Sequence, residues 1–182
     1  MLTMKSVVVF VVIVVVSQDI SAEPRYRCPN KRYIRLANSC YLLSGEIATW
    51  QEAHFRCRDL DAQLAVLATE YEDSSLRNYL EKRELAQLGR WIGGMWAQDH
   101  WIWAAQGTEI DNRRAFVSSS AQHLSSADQW MCLYMDSRNR YRWANENCIR
   151  QLHYICEAPL TRTRIGHLNR TSTVIYATNN NQ

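Results

Sequence analysis

The 182 residues, 47% of them hydrophobic and 21% charged, suffice for one globular domain with a real core and are too few to suggest two. The formal charge of +3 is carried by the end of the chain: from Ala158 onward Arg162, Arg164 and Arg170 face no acid, which leaves the stretch from Glu23 to Glu157 neutral. A neutral body gives no electrostatic footprint of the kind that marks a nucleic-acid binder, which normally shows as a basic face or stripe, so nucleic acid is not expected as a partner.

Lys5 precedes ten apolar residues, Val7 to Val16, and a polar stretch then ends in Ser21-Ala22. This is the pattern of a secretory signal peptide, with cleavage expected after Ala22. As a membrane anchor the run would be only about half the ~20 residues a hydrocarbon core needs, and no later stretch approaches that length. The expected organisation is therefore a signal peptide at 1–22, one domain at 23–157, and a flexible basic tail at 158–182, in a secreted, extracellular protein without membrane insertion. Removing the signal takes away Lys5 and Asp19 and leaves the net charge unchanged. All six cysteines, Cys28, Cys40, Cys57, Cys132, Cys148 and Cys156, remain, and an even set in an oxidising compartment implies disulfides whose pairing the count alone does not choose. No Cys-x-x-Cys occurs and the five histidines are scattered, so no metal ligand set is assigned.

Arg25, Arg27, Lys31, Arg32 and Arg35 cluster near the mature start and read as a solvated basic strand. Tyr33, Ile34 and Leu36 lie between Cys28-Pro29 and Ser39-Cys40-Tyr41, most simply a hairpin stapled at its base. Thr49-Trp50-Gln51-Glu52 has the spacing at which Thr and Glu cap each other's backbone donors. The helix it starts carries Trp50, Ala53, Cys57 and Leu60 on one face, which points Cys57 at the core. Leu64, Val66 and Leu67 suggest a buried strand. Thr69 to Glu72 repeats the capping box, and a second helix follows with Leu76, Tyr79 and Leu80 inward and its end near Gly89.

Trp91-Ile92-Gly93-Gly94 and Trp101-Ile102-Trp103 are aromatic strand signals, and the stretch from Ala104 to Gln129 is long, Ser-rich and weakly periodic, as functional loops often are. Cys132 to Met135, a turn at Asp136 to Arg140 and Tyr141 to Trp143 form a further hairpin, whose ends Cys132 and Cys148 could bridge. His153 to Cys156 is a last strand. Asn169-Arg170-Thr171 is a glycosylation sequon.

From Cys28 to Glu157 this order resembles the C-type lectin-like domain, in the long form with an extra N-terminal disulfide. The resemblance rests on Cys28-Pro29 with Cys40-Tyr41, Thr49-Trp50-Gln51-Glu52-Ala53 leading to Cys57, Leu64-Ala65-Val66-Leu67, Trp91-Ile92-Gly93-Gly94, Trp101-Ile102-Trp103, Cys132, Trp143, Cys148 and Tyr154-Ile155-Cys156-Glu157. It implies an α+β fold with two helices, small antiparallel sheets and a long loop, and the pairings Cys28 with Cys40, Cys57 with Cys156, and Cys132 with Cys148. Sugar-binding members hold calcium with a Glu-Pro-Asn or Gln-Pro-Asp tripeptide in the long loop and an Asn-Asp pair after the strand Trp. Here Ala144-Asn145 follows Trp143, no Pro lies between Trp103 and Cys132, and Gln122-His123-Leu124 stands where the tripeptide is expected. A hard cation needs several oxygens, so no calcium and no other cofactor is expected at that place. Glu109, Asp111, Asp128 and Glu146 read as solvated loop acids.

Two functions fit. In a glycan-binding module, whose partner is a sugar or a matrix polysaccharide, sugar faces stack on aromatic rings. Trp50, Trp91, Trp103 and Trp143 fall at core positions of the family, which leaves Trp96, Trp101 and Trp130 less well explained; Trp96 and Trp130 flank the polar loop and are the candidate contacts, with Gln122, Asn145 and Glu146 nearest the same surface. The alternative is a calcium-independent module for an extracellular protein partner or for organising the matrix. Neither a nucleophile elbow nor a metal-ligand helix nor a phosphate loop occurs, so an enzyme is not expected.

Overall fold

The computed structural model describes residues 25–82, 87–111, 115–118, 124 and 130–163. The expected signal segment, Gln122 and Asn169 lie outside them.

The start of the chain forms β1 (Arg25–Arg27), β2 (Ile34–Leu36) and β3 (Ser39–Leu43). β2 and β3 pair antiparallel as the expected hairpin, its turn made by Ala37 in the left-handed region. The first capping box starts α1 (Trp50–Arg58) and the second starts α2 (Glu70–Leu80), each with the Thr hydroxyl accepting from the Glu backbone and the Glu carboxylate accepting from the Thr backbone. α1 ends before Leu60, which is exposed, and α2 ends at Leu80 rather than near Gly89. Between them only β4 (Gln63–Leu64) is strand. Ala65 to Leu67 are buried without a ladder of their own, although the Ala65 N–H donates to Ile155 and its carbonyl accepts from Gly93.

The remaining strands are β5 (Arg90–Ala97), β6 (His100–Trp103), β7 (Thr108–Glu109), β8 (Met131–Asp136), β9 (Arg142–Asn147), β10 (His153–Pro159) and β11 (Thr161–Thr163). One sheet runs β2-β3-β10-β5-β6-β7, with β4 on β10, β8 on β5 and β9 on β8; only β10 against β5 is parallel. β10 passes beyond Glu157, where the tail was expected to begin, and β11 pairs with β1 as a separate two-stranded ribbon. Gly93 permits the crossing of β5 over the Leu64–Ala65 carbonyls: a Cβ there would stand 2.9 Å from the Leu64 oxygen.

Three disulfides, Cys28–Cys40, Cys57–Cys156 and Cys132–Cys148, hold these elements, in the pairing the resemblance implies. Trp50, Trp91, Trp103 and Trp143 are buried as expected, and so is Trp101. The indole N–H of Trp50 donates to the Ile92 carbonyl, that of Trp91 to the Ala48 carbonyl, and that of Trp143 to the Asp73 carboxylate at 2.9 Å. From the long loop, Phe116 bridges to Trp143 and packs its ring against it. Buried rings with satisfied N–H groups contribute area without leaving an orphan donor.

Candidate functional site

β5 and β6 are joined by Gln98-Asp99 alone, with Ala97 opposite His100. Both turn residues have positive φ, the form of two-residue turn that follows strand twist, although neither is the Gly or Asn that adopts it cheaply. At the start of β8, Trp130 also has positive φ, at 66°, which is rare for a bulky side chain. Its carbonyl accepts from the Cys148 N–H at 2.8 Å, and Cys148 is bonded to Cys132 two residues further along β8, so the strained residue is pinned to both strands of the hairpin.

These pieces enclose a groove of about 410 Å³, lined by Met95, Trp96, Ala97, Gln98, Asp99, Trp130, Met131 and Cys148. Trp130 is 73% exposed. Trp96 is half-buried, its ring edge-on to that of Trp101 with centroids 5.3 Å apart. The floor is apolar, the Gln98-Asp99 rim is polar, and such a site takes a ligand with one greasy face and hydroxyls at its edge. The groove thus brings together two of the candidate residues, Trp96 and Trp130. Met95 and Met131, which complete the apolar floor, were not legible as site residues, because each sits in a strand as an ordinary hydrophobe.

Asn145 and Glu146 are not among the groove's lining residues. Strand alternation projects them from opposite faces of β9, Asn145 with Trp143 and Glu146 with Ala144. Glu146 is also engaged, one oxygen 3.0 Å from the Arg150 guanidinium and the other accepting from the Asn147 N–H. Ala144, which follows the strand Trp143, is buried and offers no side-chain oxygen, and among the described residues no group of three acids, histidines or cysteines converges.

Residues 46–158 match the Lectin C-type domain. The chain belongs to the C-type lectin family. Among its relatives, human C-type lectin domain family 4 member A is 24% identical over 74% of this chain and 56% of its own length. Perlucin of Haliotis laevigata is 27% identical over 72% and 81%. The chain therefore spans little more than half of one relative and about four fifths of the other. Among solved structures, a calcium-independent type II antifreeze protein superposes with a TM-score of 0.61 at 20% identity, covering 75% of this chain and 98% of its own. An SPL-1–GlcNAc complex superposes with 0.56 at 20% identity, covering 70% and 93%. These likenesses establish the fold of this lectin domain. Among its described residues no helix is long and apolar enough to cross a membrane.

Proposed function

We propose that this lectin domain is a secreted glycan-binding module that stacks a sugar's apolar face between Trp96 and Trp130, with no calcium at the family's sugar site. The observation that carries the reading is a pair of indoles on one groove, one of them largely exposed and held by a disulfide-pinned hairpin in a costly backbone conformation. Such strain persists where the surrounding structure enforces it, and it gathers at ligand sites. A structural neighbour in complex with GlcNAc supports the ligand class, and the missing oxygen at Ala144 supports the calcium-free part. Ring stacking and neutral hydrogen bonds contribute about 1 kcal/mol each, so a repetitive polysaccharide suits the site better than a monosaccharide.

Retention on a polysaccharide column, with chitin as one arm and a glycan array as the other, tests this. Trp130→Ala and Trp96→Ala should each abolish retention without changing the melting temperature by more than a few degrees, and chelator should leave the wild type bound. Retention by both variants, or loss of binding in chelator alone, would sink the reading.

Ile149, 76% exposed beside Cys148, favours a second reading in which the same end docks an apolar patch on an extracellular protein. Ile149→Ser separates the two, since only the protein reading needs that side chain.

A further inference from the structure

The basic residues near the mature start and Arg162 of the expected tail are more than a hundred positions apart in sequence, and the β1–β11 ribbon brings them to the same strands. Its register sets Tyr26 opposite Arg162 and Arg27 opposite Thr161. Arg35 of β2 reaches the ribbon, donating from Nη1 to the Tyr26 carbonyl at 3.3 Å. Lys31 and Arg32 lie in the loop closed by Cys28–Cys40, which fixes them next to the same strands.

Arg27, Lys31, Arg32, Arg35 and Arg162 are all exposed. None forms an ion pair with a described residue, whereas Arg56, Arg77, Arg140 and Arg150 elsewhere each have a carboxylate at 2.8 to 3.3 Å. Five cations without a described carboxylate partner gather at one end, and because the stretch from Glu23 to Glu157 is neutral with four of them included, the rest of that stretch is net negative; positive potential is therefore concentrated at this end. Beside the ribbon opens a groove of about 790 Å³, walled by the Tyr26 ring, Arg35, Asn38 and Gln63, with Asp61 and Glu157 also on its wall. Glu157 is occupied, accepting from the Ser39 hydroxyl at 2.6 Å and the Val66 N–H at 2.8 Å.

We propose that the ribbon and this groove form a second site, for a sulfated polysaccharide chain. The cations match a repeating anion, while the ring and amides suit the sugar backbone between sulfates. Three disulfides fit the oxidising extracellular compartment of the proposed secreted module, in which a sulfated polysaccharide would be an accessible polyanion. The proposal is independent of the Trp96–Trp130 groove, with which this one shares no lining residue.

The test is elution of the mature chain from immobilised heparin and from a sulfopropyl resin, with affinity for soluble heparin measured against salt. The wild type should need more salt on heparin than on the simple exchanger. The variant Arg27→Gln/Arg35→Gln/Arg162→Gln should elute markedly earlier from heparin, its log affinity against log salt shallower by about one per cation removed. A charge-matched control, Arg58→Gln/Lys82→Gln/Arg138→Gln, should keep the wild-type heparin preference, and so should Trp130→Ala. Equal losses in both triple variants, equal elution of the wild type from the two resins, or equally effective competition by duplex DNA of the same charge would each overturn the proposal. Circular dichroism checks folding, and if the ribbon variant is unfolded, Arg162→Gln alone should still flatten the slope by about one.

Discussion

α1 and α2 open with the same Thr-x-x-Glu box and both bury a face in the core, yet α1 is tied to β10 by the Cys57–Cys156 bond while α2 is tied to β9 through the Trp143 indole and the Asp73 carboxylate. Asp73 is only 1% exposed and also pairs with Arg77 at 2.8 Å. The covalent tie acts mainly by restricting the unfolded chain and is indifferent to pH. The polar tie acts in the native state, where burial raises the Asp73 pKa against the opposing pull of Arg77 and the Trp143 N–H. Two helices with one local grammar thus depend on different physics for their attachment.

Removing the covalent tie should produce the larger loss. Cys57–Cys156 closes a separation of 99 residues, and Cys57→Ala/Cys156→Ala should cost about 2 to 5 kcal/mol in denaturant unfolding. A change below ~1 kcal/mol would mean that packing alone holds α1.

Asp73→Ala should cost about 3 kcal/mol, because it strands the Trp143 N–H and the Arg77 charge. Asp73→Asn, which keeps an acceptor, should cost less. The pH dependence follows from the direction of the shift. A carboxyl whose folded pKa is raised is most favourable to folding below its unfolded pKa, and that contribution is lost as pH rises through the folded one. Relative to Asp73→Asn, the wild type should therefore gain melting temperature as pH falls from 7 toward the ordinary aspartate value of 3.8. A gap that instead widens against the wild type on acidification would show that the ion pair with Arg77 outweighs burial.

The smallest effects belong to the shared caps. Thr49→Ala and Thr69→Ala should each cost about 1 kcal/mol. Glu52, whose carboxyl the Thr49 backbone N–H holds below the ordinary range, is the cap partner whose titration reports α1 directly. If one cap costs much more than the other, the helices differ in their starts as well as in their attachments.

The caps were legible because a three-residue spacing is all a capping box needs. Asp73 was not, since in a first turn that already carries Glu70 and Glu72 it looks like one more acid answering the helix dipole. The end of α2 was misplaced for a similar reason: no residue between Leu80 and Gly89 announces a stop, and Gly89 is the first conventional signal. In the candidate site, Trp96 and Trp130 stood out because the core pattern left them unexplained. Met95 and Met131 did not, and Asn145 and Glu146 looked like partners although strand alternation sends them to opposite faces.

What the chain determines by itself is local or covalent: both helix starts, the β8–β9 hairpin, the aromatic strands, and a set of cysteines whose order resembles that of the family. These depend on residues a few positions apart, or on a recurring order of motifs, and neither requires coordinates. Tertiary structure decided the rest. It set Asp73 beneath Trp143, closed the apolar groove between a strained turn and Trp130, and laid Arg162 across from Tyr26. Each joins residues far apart in the chain, and whether a polar group is buried, exposed or paired depends on the neighbours that folding brings to it.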